Sequence, residues 1–169
     1  PGSLTAYEHY LLGMEAKHGG ASGAVTKEGL NEAERLFRLA LGIDPQLARA
    51  YVGLAYVYEY RMELGLGGTY SENLAEIETA ARKAIQLDPN DGEAQLILGH
   101  YFVYKGLADQ AIEQFARAEA LAPSSADVAI LIAWYLPSLD QPERASILAD
   151  RALQLNPNYP VWYNQGLRF

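Results

Sequence analysis

Cysteine is absent from all 169 residues. That excludes disulfides and thiolate metal sites, and it fits a reducing compartment, with a cytoplasmic location the expectation. Histidine is scarce: His9, His18 and His100. His9 and His18 are not at the i, i+4 spacing that sets two ligands on one helical face, and His100 has no carboxylate at useful helical spacing, so no metal site is expected. Neither a bilayer-crossing apolar run nor a signal peptide is present. Basic residues number 13 against 21 acidic ones, a net charge of −8, and they form no run. A phosphate-binding stripe is therefore missing, nucleic acid is an unsuitable partner, and the acidity reads as solubility.

A catalytic constellation is lacking as well. Gly65–Leu66–Gly67–Gly68 has no following Lys–Ser/Thr and does not follow a strand, so it reads as a loop and not a phosphate cradle. Ser71 and the Ser124–Ser125 pair read as capping and turn residues with no Ser–His–Asp logic around them. Carboxylate pairs such as Glu32 and Glu34 are what helix surfaces normally carry. No nucleophile, general base or cofactor site emerges, and the chain is expected to be no enzyme.

What is present is a period. Pro89, Pro123 and Pro157 are each 34 residues apart, within LDPN, LAPS and LNPN, and IDPQ around Pro45 belongs to the same set. A fixed period of this length marks a solenoid of one repeated supersecondary unit. In the regular units Gly92–Ser125 and Ala126–Tyr159, small residues recur at position 8 (Gly99, Ala133), position 20 (Ala111, Ala145) and position 27 (Ala118, Ala152). Small residues there let two antiparallel helices approach so that ridges fit into grooves. Large apolar residues fill the gaps: Leu98, Phe102 and Phe115, then Ile132, Leu136 and Leu148. Each proline ends a helix by driving the preceding residue out of helical geometry.

This pattern resembles the tetratricopeptide repeat (TPR), a helix–turn–helix unit with small residues at 8, 20 and 27 and proline at 32. The resemblance implies an all-α, α-α superhelix of about four helical hairpins plus a terminal helix. Residues 1–169 read as a single TPR domain, with repeats at about 5–47, 48–91, 92–125 and 126–159 and a partial fifth helix at 160–169. The first two repeats carry insertions. Gly13 and Ala33 are eight residues further apart than the period requires, with Gly19–Gly20–Ala21–Ser22–Gly23 reading as a loop. In the second, Tyr58–Glu63 lengthens the first helix, Gly65–Gly68 breaks it, and Ser71 is placed to cap the returning helix.

The resemblance also assigns faces. The first helix of each unit lines a concave face, which places Tyr7, Tyr10, Leu11, Met14, Lys17 and His18 there in the first unit. It places Arg49, Val52, Gly53, Tyr56, Glu59 and Tyr60 there in the second, Leu96, His100 and Tyr104 in the third, and Trp134 in the fourth. Tyr and Trp combine large contact area with few rotatable bonds and dominate binding hot spots. That face is expected to take a protein or peptide partner, either a helix or an extended segment, or another domain of the same chain. The alternative is that these aromatics pack on each other and on the insertions. A chaperone-tail carboxylate clamp is a poor candidate, because its Lys, Asn and Arg positions are filled by Tyr10, Met14, Gly53, Glu93 and Ile97.

The opening Ser3–Gly13 and the closing Leu155–Tyr163 are similar to the C-terminal repeat region of bacterial multidomain regulators, notably those with a class III adenylate/guanylate cyclase domain. This implies a fragment of a signalling protein whose catalytic residues lie outside the chain. Pro1–Gly2–Ser3 and the unfinished fifth unit fit a fragment. A second reading is self-association through Trp162, Leu167 and Phe169, giving a homodimer.

Overall fold

The computed structural model describes residues 4–19 and 24–167, and every regular element among them is helical. In chain order they are α1 (Ala6–Lys17), α2 (Lys27–Ile43), α3 (Ala48–Leu64), α4 (Tyr70–Leu87), α5 (Gly92–Tyr104), α6 (Ala108–Leu121), α7 (Ala126–Tyr135), a 3₁₀ turn (Leu136–Leu139), α8 (Pro142–Leu155) and α9 (Tyr163–Gly166). Sequential helices pair, α1 with α2, α3 with α4, α5 with α6 and α7 with α8. The chain divides into two compact units, Pro1–Pro89 and Asn90–Phe169.

The four proline stops share one geometry. Asp44, Asp88, Ala122 and Asn156, each preceding a proline, leave the helical region with φ between −135° and −125°. The backbone N–H of each donates to the carbonyl of Ala40, Ala84, Ala118 or Ala152 in turn. The alanine at position 27 therefore does two things: it receives the last helical hydrogen bond and, fully buried in all four repeats, it lets the neighbouring helix approach.

The small-residue register holds except at position 20 of the second repeat, where the fully buried Ile77 stands. Ala33, Ala55, Ala111, Ala133 and Ala145 are fully buried. A methyl built on Gly99 would lie 2.5 Å from Phe115 of α6, and one built on Gly13 would lie 2.6 Å from Phe37 of α2. Both rings are fully buried and occupy the space a β-carbon would need.

Three local expectations need correction. Ser71 does not cap α4. Thr69 does, its hydroxyl accepting from the Glu72 N–H while the Glu72 carboxylate accepts from the Thr69 N–H. Ser71 lies inside the helix, because a capping box needs Glu three residues after the hydroxyl and only Thr69 has it. Gly53 does not line an open face: Phe37 would sit 2.5 Å from a β-carbon there, so Gly53 is where α2 and α3 touch. The fifth unit is helical only over Tyr163–Gly166 among the described residues.

The second insertion goes mainly into helix length. α3 and α4 have 17 and 18 residues, against 13 and 14 in α5 and α6. Gly65 closes α3 in the left-handed conformation at φ 65°, which an L side chain adopts at a cost. Asn73 then ties the connection down by donating to the Gly67 and Thr69 carbonyls. Of the first insertion, residues 20–23 lie outside the described part.

Candidate functional site

The first-helix face of the first unit is built by α1 and α3. Thr5 caps α1, its hydroxyl accepting from the Glu8 N–H and the Glu8 carboxylate accepting from the Thr5 N–H. That fixes the start of the helix and the placing of Tyr7. Tyr7 is 53% exposed and its ring centroid lies 5.6 Å from that of Tyr10. Tyr10 is buried and packs in turn on Phe37 at 6.0 Å. Arg49 is exposed, Met14 and Tyr60 are half-buried, and Tyr56 is buried.

Lys17 and Glu59 are buried on this face, a result that position counting does not anticipate. The Lys17 ammonium sits 4.4 Å from the Tyr56 ring centroid and 5.7 Å from that of Tyr60. Burial first, and the charges of Glu59 and Glu63 second, push the Tyr60 hydroxyl up to about 12.

Beside it, Glu34 of α2 joins α3. Its carboxylate accepts from Arg61 at 2.7 Å, from Tyr58 at 2.9 Å and from Arg38 at 2.9 Å. Burial alone would raise this carboxyl, but those donors outweigh it and hold the group below its usual range. A cleft of about 560 Å³ lies between α2, α3 and α4, with Arg38, Arg82 and Lys83 in its lining. Arg38 and Arg82 already pair with Glu34 and Glu78.

In the second unit the corresponding face comes from α5 and α7. Leu96 and His100 are buried in it. Tyr104 is half-buried, and its hydroxyl shares a 2.7 Å hydrogen bond with that of Tyr135. Trp134 is 38% exposed and stacks on the Tyr135 ring at 6.2 Å and 17°. The His100 ring packs 4.4 Å from Tyr135 and 5.9 Å from Phe115. Tyr135 is thus the hub of this cluster, and the sequence reading missed it. It stands at position 10 of its unit, off the assigned face, yet it reaches the tyrosine at position 13 of the preceding one.

At the C-terminal end, Trp162 is half-buried with its ring centroid 4.4 Å from that of Tyr163, and Leu167 is half-buried. Phe169 lies outside the described residues. Tyr163 is fully buried and donates to Asp127 of α7. Burial and that carboxylate push its hydroxyl up to about 12. Among the described residues no group of three His, Asp or Glu could hold a metal, and no helix is long and apolar enough to cross a membrane.

The arrangement is therefore two aromatic-rich helix faces, each with an exposed ring lying on a less exposed one, buried in the case of Tyr10 and half-buried in the case of Tyr135. No protein-family model matches the chain, and no curated protein does either. Its fold matches solved TPR structures. TTC0263, a thermophilic TPR protein of Thermus thermophilus, superposes with a TM-score of 0.71 at 20% identity, covering 96% of this chain and 81% of that one. MamA superposes at 0.56 and 22% identity, covering 83% and 76%. A further MamA structure, from MSR-1, gives 0.52 and 18%, covering 91% and 78%. The chain therefore has an all-α helical-repeat fold of the TPR superhelix kind.

Proposed function

We propose that the chain is a protein-interaction module that docks a peptide, a helix or a neighbouring domain on its first-helix faces. The observation that carries this is the pairing of an exposed ring with a second, less exposed one on each face. Tyr7 lies on Tyr10, and Trp134 lies on Tyr135. An exposed ring already held by a second ring loses little freedom when a partner covers it, which is the economy that makes Tyr and Trp good anchors. Arg49 adds an exposed cation to the same face of the first unit. The resemblance of both chain ends supports a parent of the bacterial cyclase-like signalling type, in which this module orders a neighbouring domain or partner. The lack of cysteine supports a cytoplasmic setting.

A photo-crosslinking amino acid placed at position 7 or 134 should capture the partner, and one placed at Ile147 of α8, which is 68% exposed, should not. Equal capture from Ile147 would overturn the assignment of the face. Self-association is a second reading, favoured by Val161, which is 83% exposed beside Trp162. Light scattering at high concentration distinguishes it: a strict monomer removes that reading.

A further inference from the structure

A lysine near a helix end ordinarily keeps its ammonium in water and buries only its stem. Lys17 ends α1, yet it is only 3% exposed. Burying an ammonium is costly unless its charge is met. Here it is met by the faces of Tyr56 and Tyr60, at 4.4 and 5.7 Å. A ring face carries the negative part of the aromatic quadrupole, and its pull on a cation strengthens as water is removed. Glu59, 4% exposed, lies between the two tyrosines on α3, and its charge, with that of Glu63, is felt at Tyr60.

We propose that Tyr56, Tyr60 and Glu59 form a binding site for a primary ammonium group, that Lys17 is its internal occupant, and that a lysine side chain of a docking partner enters by displacing Lys17. The proposal rests on the reading of the first-helix face as the docking face. Two features make Lys17 displaceable. It is the last helical residue, followed by His18 at the C-cap and Gly19 at φ 80°. The body of α1 is held four residues earlier, where Gly13 meets Phe37. Unwinding the last turn frees Lys17 at the expense of the close approach of the Ala16 carbonyl to Gly29 of α2, and leaves the Gly13–Phe37 contact intact. The chain's net charge of −8 also favours encounter with a basic segment.

The test is Lys17→Ala with labelled tyrosine rings, titrated with n-butylammonium and with the peptide acetyl-Gly-Lys-Gly-amide and followed by NMR. Both should shift the Tyr56 and Tyr60 rings saturably, at least about tenfold more tightly than in the unsubstituted chain, where Lys17 competes. Butyrate and the neutral n-pentanol should not. No saturable shift in a variant with unchanged helical circular dichroism overturns the site, and so does an equal response to n-pentanol, which would mark a plain apolar cavity. If Lys17→Ala does not fold, the unsubstituted chain gives the answer. Saturating peptide should move the Lys17 ε-carbon resonance to the value of an exposed lysine, and an unmoved resonance overturns the proposal. Capture of a lysine-free partner from position 7 with Lys17 unmoved would overturn the ammonium site alone. Ammonium binding without capture from position 7 would remove the docking reading on which the displacement step rests.

Discussion

At the residue scale, the same substitution has opposite signs at different glycines. Gly99→Ala would push a methyl to 2.5 Å from the fully buried Phe115 ring, which has nowhere to go. It should cost about 1–3 kcal/mol. Gly42, near the end of α2, has nothing within 4 Å of the added carbon. Gly42→Ala removes backbone freedom from the unfolded chain without a clash, and it should stabilise by about 0.5 kcal/mol. Urea midpoints at unchanged slope would measure both. Ala118→Leu at the fully buried position 27 of the third repeat should also cost about 1–3 kcal/mol. A neutral result there would mean that the repeat register is misplaced. These sites were legible in the sequence because contact between helices is a matter of volume, and a missing side chain at a fixed period records where neighbours touch.

At the element scale, the capping of α4 separates two hydroxyls that look alike in sequence. Thr69→Ala removes the acceptor for the Glu72 N–H and should cost about 1 kcal/mol, whereas Ser71→Ala, inside the helix and exposed, should be close to neutral. Thermal melts of the two variants decide it. Position counting chose Ser71 because it saw only a hydroxyl near the expected start of the helix. The later capping-box glutamate, present in the sequence as Thr69-x-x-Glu72, was the stronger signal. Glu34 shows a different limit. Two of its partners, Tyr58 and Arg61, come from α3, 24 and 27 residues away. The side chains of Glu34 and Arg61 are 21% and 12% exposed, so Glu34→Gln should cost about 1–3 kcal/mol as charge-assisted bonds in a partly dry site. Glu32→Gln breaks a pair exposed by about half on each side and should change stability by less than about 0.5 kcal/mol. Nothing in the sequence around residues 32 to 34 separates these two glutamates. Only the docking of α3 does.

At the scale of the whole molecule, the shifted groups shape stability against pH. Tyr58, Tyr60 and Tyr163 are each pushed up to about 12, burial being the main cause in all three. An unfolded tyrosine titrates near 10, so between about 10 and 12 the unfolded chain releases protons that the folded chain keeps. Stability supplied by these hydroxyls is fully present below about pH 10 and is lost as pH rises toward 12. Glu34 is held below its usual range, so its contribution is present above about pH 4.5 and is lost as the pH falls further. Melting temperature should therefore be flat from about pH 6 to 9 and fall on both sides, with Tyr60→Phe softening the alkaline fall. An unchanged alkaline limb in that variant would mean that Tyr60 ionises equally in both states.

The order of residues along the chain was enough to set the repeat, the helix stops and most of the places where helices touch. These follow from steric rules acting within a few residues, or from volume repeated at a fixed period, and both survive without knowledge of the neighbours. Which of the face residues stay exposed and which are buried was decided only by the packed helices. Tyr7 and Trp134 stay exposed, while Tyr10, Tyr56, Leu96 and His100 are buried. Tyr135 becomes a hub, and Lys17 turns inward onto two rings. Such outcomes depend on side chains brought together from helices distant in the chain, where the balance between solvation and contact is struck by packing and cannot be read from one helix alone.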